Sequence, residues 1–164
     1  MFKFNFMKVV PSAFFLFAAF TQSTFADTTI KVSLWSKGMM MNGSSNMMFG
    51  MGMHGKMGMA MMGIGTDHNT VPSGKVTFDV TNVAVNMIHE MIVEPLKDET
   101  VLIPYSETEH RINEKSAGNL GEVSELNPSK SGTLTIDLKP GTYILYCNIP
   151  RHYQSGMWTT LKVQ

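Results

Sequence analysis

Cysteine is almost missing from this chain: Cys147 stands alone among 164 residues, so no disulfide can close within it. That thiol is therefore an inert packing group, a reactive group or a ligand. Charge bias is missing too, with thirteen basic and thirteen acidic residues. The Lys and Arg residues are scattered, without the basic runs interleaved with aromatics that follow a phosphate backbone, and nucleic acid is not expected as a partner. Long apolar runs are also lacking. The longest, Val9 to Phe20, is about a dozen residues broken by Pro11 and Ser12, against the roughly 20 that a spanning helix needs. No internal repeat is present.

What the first residues do have is the pattern of a secretory leader. Lys3 and Lys8 precede the apolar stretch, and Thr24-Phe25-Ala26 offers small residues for cleavage. The expectation is a cleavable signal peptide over 1–26, export to the periplasm, and no membrane span or lipid anchor afterwards, since the residue directly after the cut is Asp27 and not a cysteine. Removing Lys3 and Lys8 leaves the mature chain at a net charge of about −2.

Beyond Ala26 the dominant signal is alternation of polar and apolar residues. Thr29 to Trp35, Lys75 to Thr81 (Val76, Phe78 and Val80 on one face) and Thr133 to Leu138 all carry the period of two of a half-buried strand. Turn signals at Pro72-Ser73-Gly74, Asn127-Pro128-Ser129 and Pro140-Gly141 separate these runs. With further strands over Met87 to Glu94, Gly141 to Cys147 and Met157 to Val163, the expected class is all-β, an antiparallel sandwich. The charged stretch from Asp98 to Leu126 predicts a loop region with a short helix, and Leu120 to Leu126 an edge element. The expected organisation is a first strand over 27–37, a Met/Gly-rich segment over 38–65 and the main domain over 66–164.

The stretch YILYCNIPRHYQSGMW carries the chemistry. Its spacing, C-x4-H-x4-M, puts Cys147, His152 and Met157 on one loop between two strands. A copper ion alternating between Cu(I) and Cu(II) suits a thiolate and two imidazoles in a trigonal set with a weak axial thioether. His89, at the start of an upstream strand, supplies the second imidazole. The expected metal ligands are His89, Cys147, His152 and Met157. His110 sits in a charged run, and neither it nor His68 is spaced as a ligand.

These residues resemble the cupredoxins, the plastocyanin, azurin and rusticyanin group of small blue copper proteins. The resemblance covers 71–164 and rests on the Val-Pro-Ser-Gly-Lys-Val-Thr-Phe opening, His89-Glu90, Leu-Lys-Pro-Gly-Thr-Tyr and the ligand loop. It implies a Greek-key sandwich with one type 1 copper at one end and one-electron transfer, with His152 facing a redox partner protein. Two positions depart from the pattern. Many relatives have Gly before the second histidine and Asn or Ser after the first, where this chain has Arg151 and Glu90.

The second distinctive feature is an excess of methionine, 16 in all. Met39, Met40, Met41, Met47, Met48, Met51, Met53, Met57, Met59, Met61 and Met62 are interleaved with glycine and His54. Thioethers favour Cu(I), so these residues are expected as secondary Cu(I) contacts, with packing on the sandwich as the plainer alternative. Two functions follow: an electron carrier, or a periplasmic copper-handling protein that takes copper from a donor or passes it to an acceptor protein. An oxidase is not expected, because further copper centres draw on His-x-His pairs and the five histidines form none.

Overall fold

A computed structural model describes residues 27–36, 61–97 and 103–164. The leader expected over 1–26 lies outside the described residues, as do Met39 to Met59 and His54. Strand β1 is Thr28–Ser36, β2 Met62–Thr66, β3 Thr70–Val71, β4 Gly74–Asn82 and β5 His89–Pro95. A two-stranded excursion, β6 (Tyr105–Ser106) and β7 (Arg111–Ile112), leads into a single turn of helix, α1 (Glu114–Ala117). Strands β8 (Gly121–Leu126), β9 (Ser131–Leu138), β10 (Gly141–Tyr146) and β11 (Trp158–Val163) complete the chain.

The strands form two sheets, in the orders β2-β1-β4-β9 and β3-β11-β10-β5-β8. Alternation assigns their faces. Ile30, Val32 and Leu34 of β1 and Val76, Phe78 and Val80 of β4 point inward, and meet Met91, Val93, Tyr143, Leu145, Leu161 and Val163 of the other sheet in one core. Burying such side chains stabilises the fold by about 1.5–3 kcal/mol each. The expected sandwich is present, with one correction. It is not wholly antiparallel, since β1 runs parallel to β4 and β3 parallel to β11. Side-chain alternation marks a strand's two faces and carries no information about its direction, which is why the sequence pattern missed this.

The stretch read as loop with a short helix does hold α1, and β8 is an edge strand beside β5 as expected. The excursion over 103–118 has a packing role as well. On β5 and β10 the residues facing away from the core, Ile92, Ile144 and Tyr146, are buried in a second cluster with Ile112, against which Ile103, Tyr105, Tyr153 and Trp158 pack. The excursion thus covers the outer face of the five-stranded sheet. Without that cover, β5 and β10 would expose the apolar residues that make them near-continuous rather than alternating runs.

The boundary drawn at Gly65 falls inside a strand. Met62–Thr66 pairs antiparallel with β1, Ser36 opposite Met62 and Trp35 opposite Gly63. The last residue of β1 and the first of β2 are thus neighbours across the ladder. Gly63 is needed there, because a Cβ on it would lie 2.5 Å from the Trp35 ring. Gly63→Ala is expected to destabilise the protein by about 1–3 kcal/mol through overpacking, measured as a lower urea midpoint with an unchanged m-value.

Candidate metal centre

Three strand ends meet at one end of the sandwich. β5 begins at His89, β10 ends at Tyr146 just before Cys147, and β11 begins at Trp158 just after Met157, with Tyr146 registered opposite both Ile92 and Trp158. The loop between β10 and β11 is a compact coil. His152 N–H donates to the Ile149 carbonyl, Gly156 N–H to Tyr153, and Met157 N–H to His152, at 3.0–3.1 Å. The Cys147 N–H then donates to the Met157 carbonyl at 3.1 Å, closing the loop at its neck. Nine intervening residues are folded back so that His152 returns over Cys147.

His89 is set by a residue the sequence reading passed over. Asn82, fully buried at the end of β4, donates through Nδ2 to the carbonyls of Met87 (2.8 Å) and Leu126 (2.7 Å) and accepts from the Ala84 N–H (3.0 Å). It fixes the loop that delivers His89 to β5, whereas Asn86 on that loop is exposed. An apolar residue at 82 would leave these buried main-chain groups without partners.

The side chains converge. His152 Nδ1 lies 3.2 Å from His89 Nδ1 and 3.3 Å from Cys147 Sγ, and one donor atom from each residue falls within 4.8 Å of the others. The two rings meet edge to face, with centroids 5.0 Å apart. Cys147 and His89 are fully buried, and His152 is partly exposed. Met157 is fully buried and joins Cys147 through the main-chain pair.

Burial sets the charge state. Desolvation pushes the Cys147 thiol up to about 12, so at neutral pH without a cation it keeps its proton. Burial, and then the neighbouring His152, lowers His89 to about 4; burial lowers His152 as well. The metal-free cluster is therefore uncharged at pH 7, with two neutral imidazoles turned toward each other through the same ring nitrogen. Lone pairs in that arrangement oppose one another unless one nitrogen is protonated or a cation lies between them. His89 Nε2 is buried without a hydrogen-bond partner, so the ring's one polar contact is through Nδ1 to His152 and packing holds the rest. This donor set, thiol plus two imidazoles converging in an apolar pocket, fits a borderline-soft transition ion and not a hard one that would require carboxylates.

Glu90 and Arg151 now have structural accounts. Glu90 Oε1 accepts the Asn148 N–H at 2.9 Å, tying the first residues of β5 to the residue after Cys147. Its own carboxyl is raised above the ordinary range, chiefly by burial. Arg151 has φ 72°, the left-handed region that a glycine occupies without strain, which explains why glycine suits that position. His110, facing it, also has positive φ and accepts the Arg151 N–H at 2.8 Å. His68 is an exposed partner of Asp67, so neither His68 nor His110 joins the cluster. Of the Met/Gly-rich segment's methionines, two are described: Met62 is core, while Met61 is 52% exposed and donates its N–H to the Ser155 carbonyl of the β10–β11 loop at 3.1 Å.

Solved structures with this architecture include rusticyanin from Thiobacillus ferrooxidans, at 18% identity and a TM-score of 0.50, covering 85% of this chain and 80% of that one. A rusticyanin variant matches at 16% identity with a TM-score of 0.53 over the same shares. This chain is a cupredoxin in fold. A family profile for the sulfocyanin (SoxE) domain matches residues 114–164, the part of this chain that holds Cys147, His152 and Met157. Auracyanin from the photosynthetic bacterium Roseiflexus castenholzii is similar at 21% identity and a TM-score of 0.49, covering 85% of this chain and 99% of that one. No curated protein sequence matches the chain.

The pH response of the metal-free protein follows from these shifts. His89 has a folded value of about 4 against an ordinary 6.5, so its contribution to stability is complete above pH 6.5 and is lost as pH falls toward 4. Glu90 and Glu94 are raised from 4.5 and act oppositely, favouring the fold at low pH and losing that contribution as pH rises through their folded values. Subtracting the urea-unfolding profile of His89→Asn from that of the wild type isolates the histidine. The difference is expected to shrink as pH is lowered from 6.5 to 4.

Proposed function

We propose that this chain is an exported type 1 copper protein that carries single electrons, in which His89, Cys147 and His152 would hold the copper as strong donors and the Met157 thioether would be a weaker one. The observation behind this reading is the convergence of one thiol and two imidazole nitrogens within 4.8 Å in a buried, uncharged pocket. Copper bound there would supply a one-electron change of oxidation state, in a ligand arrangement suited to both states.

The chain's own residues do the rest. Buried Cys147 loses its proton when the ion binds, since a coordinated thiol is held as thiolate despite the surrounding apolar groups. His89 and Met157 close the site from within, excluding water. The partly exposed His152 is the ligand that faces a redox partner protein. Asn82 fixes the loop before His89 and Glu90 ties the start of β5 to the residue after Cys147, so the donors need little rearrangement when the charge at the centre changes. Carriage fits better than an enzyme's role, since the five histidines include no His-x-His pair for further copper centres. The Greek-key connectivity, the leader over 1–26 and a periplasmic location belong to the same proposal.

A second reading, copper handling, is favoured by one contact. The Met61 N–H bonded to the Ser155 carbonyl seats the C-terminal end of the Met/Gly-rich stretch on the ligand loop. In this reading the thioethers collect Cu(I) near the site and exchange it with a copper donor or acceptor protein. Deleting residues 38–60 separates the two roles. Slower copper loading with unchanged electron exchange by the loaded protein supports handling, and no change in either supports carriage alone.

Cys147→Ser is expected to abolish the intense visible thiolate-to-copper band formed on Cu(II) addition, while Met157→Leu keeps the band and shifts the reduction potential. An unchanged spectrum in Cys147→Ser would exclude the ligand set.

A further inference from the structure

Asn148, next to Cys147, is almost fully buried and bonded in four directions. Its Oδ1 accepts the Ile112 N–H at 2.6 Å, and its Nδ2 donates to the Ile112 carbonyl at 3.0 Å. The side-chain amide thus pairs with β7 as a strand residue's main chain would. The same Nδ2 donates to Glu114 Oε1 at 2.6 Å, and the Asn148 N–H donates to Glu90 at 2.9 Å. A few residues on, the Arg151 N–H donates to the His110 carbonyl at 2.8 Å. The 103–118 excursion therefore grips the ligand loop at both ends of the interval between Cys147 and His152.

The excursion has its own anchor on the sandwich. Ile112 is buried with Ile92, Ile144 and Tyr146, and Tyr105 stacks on Tyr153, whose ring also contacts Tyr146 and Trp158. Tyr146 precedes Cys147 and Trp158 follows Met157, so the anchor bears on the same strand ends that carry two of the proposed ligands. Only an amide completes this set, because one side chain must both accept from Ile112 N–H and donate to two oxygens. A carboxylate at 148 would face Glu114 Oε1 and the Ile112 carbonyl with no proton to give.

Resting on the copper reading above, we propose that the 103–118 excursion is a clamp that fixes the spacing of Cys147 and His152 before metal binds, and that Asn148 is its positioning residue. Asn148 touches no proposed ligand through its side chain and acts through the loop it holds. Its loss leaves the donors in place but frees their separation.

The test compares the full-length mature protein with Asn148→Ala and with Val71→Ala, a core truncation on β3 that lowers stability without touching the loop. In metal-free protein, Asn148→Ala is expected to speed exchange of the Ile112 amide by roughly tenfold or more, since its acceptor is gone. After Cu(II) addition the same variant should show a displaced thiolate band and altered copper hyperfine splitting. Val71→Ala should lose stability with both signatures at their wild-type values. An Asn148→Ala protein with wild-type exchange and a wild-type band overturns the proposal, as does a Val71→Ala protein that shows the same changes. If Asn148→Ala does not fold, Glu114→Ala, which removes one of the bonds, should change both readouts in the same direction to a smaller degree; no change in either rejects the clamp. If the wild type itself forms no thiolate band, the copper reading fails. The clamp is then decided by Ile112 exchange and by the His89 and His152 ring resonances of the metal-free variants, which must shift in Asn148→Ala for it to stand.

Discussion

One main-chain hydrogen bond, from the Cys147 N–H to the Met157 carbonyl, holds the neck of the loop on which the candidate centre is built. Above it the chain must close a coil in nine residues; below it β10 and β11 continue as an ordinary antiparallel pair anchored by Leu145 and Leu161 in the core. The neck turns a linear spacing of cysteine, histidine and methionine into a three-dimensional one, because it sets where the coil starts and ends. The fourth residue arrives from β5, two strand widths from β11, and only the register of β5 on β10 brings it to the same height.

Desolvation gives the cluster its chemical character. A thiol raised to about 12 and imidazoles lowered by burial make the empty cluster neutral, so its burial costs little. A cation that displaced the thiol proton would satisfy the opposed nitrogens and the sulfur together. The same apolar walls would penalise a hard ion that depends on several oxygen ligands. Packing thus does two things here: it holds the donors without a metal, and it restricts which metals suit them.

Much of this was legible in the sequence, for identifiable reasons. Alternation at Val76, Phe78 and Val80 or at Leu134, Ile136 and Leu138 reports a half-buried strand directly, and C-x4-H-x4-M is a local pattern whose consequence, a loop returning on itself, is local too. Strand direction was not legible, because β1 beside β4 has the same alternation whether parallel or antiparallel. Nor was β2, where Met62 and Ile64 read as part of a glycine-rich run although they are core. The excursion was missed as cover because its charge reflects the solvent-facing residues of 107–116, while burial falls on isolated positions such as Ile112. Asn82 and Asn148 carried no signal at all. A buried asparagine is recognised by the main-chain groups it meets, and those come from residues up to 44 positions away.

The most direct test of the central claim is anomalous diffraction at the copper edge from crystals of the copper-loaded mature protein. The account predicts one strong peak between His89 Nδ1, Cys147 Sγ and His152 Nδ1, with Met157 as the remaining neighbour. A copper peak elsewhere, with these four side chains free of metal, would contradict it.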